Sequence, residues 1–402
     1  MTLKMLYISK IFKPDFYPQR LIRISMNFSE TFQYSPVCVK DFIYHAEKNI
    51  PPDLLMYYQS GATNEFTLRE NENSFNRYLF LPRMLRDVSK RNLKINVLGY
   101  QVEHPFGIAP TASHKIAHSE GELASCKAAA KTGTPFILST LSSVKLEQVA
   151  ESYLENYNSD KKAPLWFQLY VFKDRNITQD LIKRAENSGF TAIFVTVDTP
   201  LSGIRYQNLR HKVALPPDIK FANLDNYFPI NEIPEDNFFS NIANNFDDSL
   251  TWNSMMMFLR ENTNLPIILK GILTVEDAKL AMDYGVNGIV ISNHGGRQLD
   301  TVPSTLDCLC KIASEVPKSF DLYLDGGVRS GDDILKALAL GAKMVFIGRP
   351  VLWALSYDGS DGVIKLINIL RKEIDVCLAL NGVSDVNYVS KELVTRASEY
   401  IY

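Results

Sequence analysis

From about residue 105 the chain repeats one pattern: a short β-branched or aromatic run, a loop, then a stretch of helical period closed by glycine. Such alternation marks successive βαβ units, in which a helix carries the chain back to start the next parallel strand. Eight strands are expected, at Pro105–Pro110, Pro135–Ser139, Leu165–Val171, Ala192–Asp198, Pro266–Gly271, Gly288–Asn293, Asp321–Gly327 and Met344–Pro350. Helices are expected at Gly121–Thr132, Ile177–Ser188, Val275–Tyr284 and Asp332–Leu340, and Gly133, Gly189, Gly285 and Gly341 stand where each would stop. Eight β-then-α units predict an α/β fold, a (β/α)₈ TIM barrel whose active site is built by the loops at the strand C-termini. At 402 residues the chain has room for one large core of this kind.

Two segments interrupt the rhythm. Residues 36–100, rich in helix formers, predict an N-terminal helical segment over one barrel end. Residues 211–250 form a long insertion after strand four, beyond ordinary βα loop length, and are expected to be a lid or mobile loop. Residues 1–35 carry Lys4, Lys10, Lys13, Arg20 and Arg23 against Asp15 and Glu30; they read as a basic, disordered extension with a weak resemblance to an organelle leader. The expected division is therefore this extension, one barrel domain over 36–390, and a tail at 391–402.

Composition narrows the partners. Lys plus Arg total 43 against 45 for Asp plus Glu, so a net charge of −2 offers no general field for nucleic acid or anionic membrane. The five cysteines are scattered, without the paired spacing of a zinc site or the density of a secreted disulfide scaffold, which predicts no metal centre and a reducing intracellular compartment. No run approaches the roughly 18 apolar residues of a membrane span.

The residues that would end the strands are unusually polar, and in a barrel they converge on one pocket. They are Ala109, Pro110, Thr111 and Ala112 after strand one, Ser139 after two, Gln168 and Tyr170 on three, Thr196 and Asp198 on four, and Lys270 on five. Ser292, Asn293, His294 and Arg297 follow strand six, Asp325 and Gly326 to Arg329 follow seven, and Gly348 and Arg349 follow eight. Any one could be a hydrogen-bonded core residue; the convergent set points to a site.

Of the six histidines, only His294 follows a strand and precedes Gly295, Gly296 and Arg297. An imidazole there suits proton abstraction near neutral pH, and Asp198, two strands away, could hold its other ring nitrogen. Arg297 and Arg205 each offer a fork matched to a carboxylate, although Arg205 could equally brace a loop base. After strands seven and eight, the Asp325, Gly326, Gly327, Val328, Arg329 run and the Gly348, Arg349 pair supply close backbone approach, two cations and following helix N-termini, the ingredients of a barrel phosphate site.

The stretch Ser292–Asp300, SNHGGRQLD, resembles the FMN-dependent L-2-hydroxy-acid oxidases and dehydrogenases, the family that includes glycolate oxidase. The resemblance runs over about residues 38–388 through YYQSGA at Tyr57, APTA at Ala109, FQLYV at Phe167, TVDTP at Thr196, LKG at Leu269, LDGGVRSG at Leu324 and FIGRP at Phe346. It implies FMN as cofactor, His294 as active-site base with Asp198 behind it, and Tyr57, Tyr170, Arg205 and Arg297 on the 2-hydroxy acid. It also implies flavin contacts from the Ala109–Ala112 run, Ser139, Gln168, Thr196, Lys270 and Ser292, and phosphate contacts from Asp325, Gly326, Gly327, Arg329, Gly348 and Arg349. Leu141 stands where short-substrate members resemble one another in having Trp, and Ser202 where Leu is common, which favours medium- or long-chain or aromatic acids over glycolate.

The expected reaction is oxidation of an L-2-hydroxy acid with oxygen as acceptor. The residues leave open a dehydrogenase with another acceptor, a barrel isomerase or reductase using the same phosphate site, and a catalytically silent flavin binder. The family implies a homotetramer and, for many members, a peroxisome. The Ser398–Tyr402 ending lacks the Ser-Lys-Leu type signal, which leaves a cytosolic or mitochondrial location open.

Overall fold

The eight barrel strands are short and almost wholly buried: β1 Phe106–Ile108, β2 Phe136–Leu138, β3 Leu165–Leu169, β4 Ile193–Thr196, β5 Ile267–Ile272, β6 Gly288–Ile291, β7 Asp321–Asp325 and β8 Met344–Ile347. They read as continuous apolar runs because helices cover one face and the barrel interior the other. In the computed structural model, which describes residues 35–157, 163–211, 215–228 and 238–400, these strands pair in parallel in chain order and β8 closes on β1. Seven of the eight strands stop short of their expected ends, because the residues that follow curl over the barrel mouth instead of continuing the ladder; β5 runs one residue past Gly271.

The pleat explains where the site lies. Inward-facing Trp166, Phe194, Tyr323 and Phe346 pack against one another, with Trp166–Phe194, Phe194–Phe346 and Tyr323–Phe346 ring centroids 5.1, 5.8 and 5.7 Å apart. Two residues on, with the same inward direction, come Gln168, Thr196, Asp325 and Gly348. The aromatic layer thus plugs the barrel, and the polar layer above it floors the mouth.

The N-terminal segment is helical at Asp41–Asn49, Pro52–Gln59 and Phe66–Asn73, as expected, but not to residue 100. Beyond Arg77 it turns to strand: Tyr78–Phe80 pairs antiparallel with Val394–Arg396, and Ile95–Val97 forms a hairpin with Tyr100–Val102. The buried–exposed–buried alternation of Ile95–Val97 is a strand period, and Leu98 and Gly99, at φ 45° and 83°, make the primed turn that two-residue hairpins favour. The pairing of residues 394–396 also shifts the boundary drawn at 390, since that stretch belongs to the body of the domain.

The insertion after β4 packs against the barrel where it is described. Phe221, Leu224, Ile242, Ala243 and Phe246 are buried. Asn223 donates to the carbonyls of Ser139 and Thr140 and accepts the Leu146 N–H at 2.8 Å, clamping this stretch onto the loop after β2. Residues 212–214 and 229–237 of the insertion, the expected extension at 1–34, and residues 401–402 lie outside the described residues. Among the described residues no helix is long and apolar enough to cross a membrane.

Candidate active site

A cavity opens over the polar layer and gathers nearly the whole expected set. Its walls include Tyr57, Ala109, Pro110, Thr111, Ala112, Ser139, Leu141, Gln168, Tyr170, Thr196, Arg205, Lys270, His294, Arg297, Asp325, Gly326, Gly327, Arg329, Gly348 and Arg349. Three expected residues stand behind the wall: Asp198 behind His294, Ser292 behind Lys270, and Asn293, whose amide turns to Asn71. Ser292 is fully buried, and its hydroxyl accepts from Lys270 Nζ at 2.9 Å and from the His294 N–H at 3.1 Å, so it positions two wall residues instead of facing the cavity.

Two hydrogen-bonded groups make the floor. Gln168 Oε1 accepts the Thr140 N–H at 3.1 Å, and its Nε2 donates to Thr196 Oγ1 at 3.0 Å. Lys270 on β5 reaches Asp325 on β7 at 3.1 Å. Burial works against the Lys270 ammonium, but the carboxylates of Asp325 and Asp198 more than offset it and raise its pKa, so a cation is fixed in the floor.

His294 Nδ1 lies 2.9 Å from Asp198 Oδ1. Burial lowers the histidine pKa, Asp198 opposes that, and Lys270 and Arg205 add to it; the net shift is downward, which keeps the ring neutral at physiological pH. Burial would raise the Asp198 pKa, but His294 and Lys270 outweigh it and hold the carboxyl ionised. The neutral ring therefore donates from Nδ1 to Asp198 and keeps a lone pair on Nε2. His294 also sits at φ 59°, a left-handed backbone that a non-glycine residue adopts only where surrounding contacts impose it.

Three arginines share the far side of the cavity. Arg297 Nη1 donates to the Tyr57 carbonyl at 2.6 Å, and its guanidinium lies 4.8 Å from the Tyr57 ring centroid. Arg349 donates to the carbonyls of Tyr58, Gly295 and Ser60 at 2.8, 3.0 and 3.2 Å. Arg329 pairs with Glu72 at 2.8 Å. Burial, followed by Arg297 and Arg329, pushes the Arg349 pKa well down; burial, followed by Arg297, pushes Arg205 down to about 9. Mutual repulsion among half-buried cations is the signature of a place that an anion would stabilise.

One ingredient expected for phosphate is already occupied. The helix Gly331–Ala339 after β7 has its N-terminus capped: Ser330 accepts the Asp333 N–H, and Glu373 accepts the Gly331 N–H at 2.7 Å. The helix beginning at Arg349 has no side-chain cap, so the free N-terminus is the one after β8. Gly327 also answers to packing as well as to a ligand, since a Cβ there would strike the carbonyl of Asn71.

That packing shows what sequence reasoning missed. The helix Phe66–Asn73 seals the cavity's edge through Asn71, which exchanges two 2.7 Å amide hydrogen bonds with Asn293. Asp300, quoted only as the end of a motif, accepts from Thr63 Oγ1 and the Thr67 N–H, both at 2.8 Å, and from the Phe66 N–H at 3.3 Å. Tyr58 donates to the Ser113 carbonyl at 2.6 Å, tying the N-terminal helices to the loop after β1. Phe246 and Ala243 reach the wall from the insertion; a buried aromatic amid polar residues was the available signal for the first.

Residues 46–396 match the family model described as FMN-dependent dehydrogenase. The chain is 42% identical over 366 residues to 2-hydroxyacid oxidase 1 of Homo sapiens, covering 90% of this chain and 96% of that protein. It is 42% identical over 365 residues to glycolate oxidase 3 of Oryza sativa subsp. japonica, covering 90% and 97%. Among solved structures, mandelate oxidase with (S)-4-hydroxymandelic acid superimposes with a TM-score of 0.82 at 37% identity, covering 90% of this chain and 98% of that one.

Proposed function

The chain belongs to the FMN-dependent dehydrogenase family, and from that premise we propose that it oxidises an L-2-hydroxy acid to the 2-oxo acid, with oxygen taking the two electrons and leaving as hydrogen peroxide. The site suits FMN on three counts: half-buried arginines that repel one another, an uncapped helix N-terminus after β8, and a polar floor able to meet a ring's hydrogen-bonding edge. Arg329, Arg349 and the Gly348 backbone would hold the phosphate, and Ser139, Gln168, Thr196 and Lys270 the ring. Bound FMN supplies the acceptor for the substrate's two electrons.

The chain's own residues do the rest. Arg297 and Arg205 hold the carboxylate, with the Tyr57 hydroxyl beside them, and so fix the carbinol carbon toward His294. Burial first, then Asp198, raises the Tyr170 pKa, so its phenol stays protonated as a donor to substrate oxygen. His294 Nε2 takes a proton from the substrate's carbinol group, and Asp198 stabilises the imidazolium that forms. Leu141, partly buried in the wall, leaves space that an indole would fill, and supports a preference for medium-chain or aromatic acids over glycolate.

The observation that carries this reading is the 2.9 Å His294–Asp198 contact in a wall shared with Arg297 and Arg205. His294→Gln should retain FMN and lose about 10²- to 10⁴-fold in turnover. Unchanged anaerobic bleaching of the flavin by substrate in that variant would remove His294 as the base. Peroxide formed in air at less than one equivalent per 2-oxo acid would remove oxygen as the acceptor.

A further inference from the structure

Phe246 separates two cavities. Its ring stacks on Tyr170, with centroids 4.2 Å apart and planes at 14°, and Phe172 meets it edge-on at 5.2 Å. The backbone around it is pinned to the continuation of β3: the Asp247 N–H donates to the Val171 carbonyl, and the Lys173 N–H to the Asn245 carbonyl, both at 2.9 Å. It is a fixed wall.

On one side of that wall lies the site described above. On the other lies a second cavity of about 360 Å³, within the size range of small-ligand pockets, whose apolar lining includes Val171, Val197, Leu250, Trp252, Met255 and Ile272. Tyr170, Thr196, Thr199 and Phe246 line both. The acids on the second cavity's rim are engaged: Asp247 pairs with Arg175, Asp248 with Lys173 at 3.4 Å, and Asp277 bonds the hydroxyl of Thr274. They leave the interior suited to an aliphatic tail.

We propose that Phe246 is the end wall of the substrate pocket and sets the longest 2-hydroxy acid the site accepts, the cavity behind it being an annex for an acyl tail. The proposal rests on the reading of the pocket as a 2-hydroxy-acid site. With the ring removed, each methylene that passes into the annex multiplies the preference roughly fourfold. A tail reaching several carbons past the wall therefore gains well over tenfold.

The experiment compares specificity constants of the FMN-loaded wild type and Phe246→Ala for 2-hydroxyhexanoate and 2-hydroxydodecanoate. The ratio of long to short cancels any loss common to both acids. It should rise at least tenfold in Phe246→Ala and stay within about threefold of wild type in Phe246→Tyr. A second readout needs no turnover: 12-bromo-2-oxododecanoate should quench Trp252 fluorescence in Phe246→Ala and not in the wild type, with the signal absent from Phe246→Ala/Trp252→Phe. An unchanged ratio in a Phe246→Ala protein that still oxidises the short acid overturns the proposal, and so does equal quenching in the wild type. Failure of the wild type to oxidise any 2-hydroxy acid strikes the proposed function instead, and the quenching then decides the wall alone. Should Phe246→Ala not fold, Phe246→Leu carries both readouts, with a ratio change of about threefold expected.

Discussion

Asp300→Asn should cost this protein about 2.5 kcal/mol at neutral pH, and the cost should vanish in acid. Burial alone would raise the Asp300 pKa, but hydrogen bonds from the Thr67 N–H, the Thr63 hydroxyl and the Thr301 and Phe66 N–H groups outweigh it and hold the carboxyl at about 2. Against about 3.9 in an unfolded chain, that gap is worth about 2.5 kcal/mol. Because the folded value is depressed, the contribution is complete above about pH 4 and is lost as pH falls toward about 2. An asparagine keeps one acceptor and turns an amide toward donors, so the N-terminus of the helix Phe66–Asn73 loses its anchor to the loop that carries His294 and Arg297. Urea unfolding of both proteins, each without FMN so that ligand binding does not shift the midpoints, measures the difference at pH 7, 5 and 3. A difference under about 0.5 kcal/mol at pH 7, or one that stays constant to pH 3, would refute the assignment of charge to this clasp.

Arg349→Ala should weaken FMN binding about ten- to a hundredfold, the loss of one charge-assisted contact of about 1.5–3 kcal/mol, read by fluorescence titration of the apoprotein; unchanged affinity would place the phosphate elsewhere. The pKa of His294 is lowered, so its base form persists below the usual value near 6.5, and kcat/KM should fall on the acid side only below that pH. Asp198→Asn removes the group that raises it, and should lower both rate and inflection; an acid limb above pH 7 in the wild type would contradict the shift. Leu141→Trp should move the length profile toward glycolate by about tenfold or more relative to 2-hydroxyoctanoate, measured as the ratio of specificity constants. An unchanged profile would show that Leu141 only packs under its loop.

How much of this was legible depends on the range over which each feature is encoded. The barrel was readable because strand, loop and helix repeat within each unit, and the mouth was readable because the pleat puts Gln168 above Trp166 and Thr196 above Phe194 on the same inward face. Seven of the eight strand ends were read too long, since a polar residue after an apolar run looks the same whether it continues the ladder or leaves it. Residues 78–100 were read as part of a helical segment, where the period of two at Ile95–Val97 and the Leu98–Gly99 turn argue strand.

The local sequence by itself thus determined the α/β class, the eight strands and the kinds of side chain at the barrel mouth, through periodicities that span only a few residues. The tertiary structure alone decided which residues outside the motifs hold those side chains in place. The exchange between Asn71 and Asn293 spans 222 positions, the bond of Asp300 with Thr67 spans 233, and the Glu373 cap on Gly331 spans 42. It also decided that Phe246, far along an insertion of no evident period, returns to stack on Tyr170. Such contacts carry no local pattern, because they depend on where a closed sheet brings distant loops, and closure is a property of all eight strands at once.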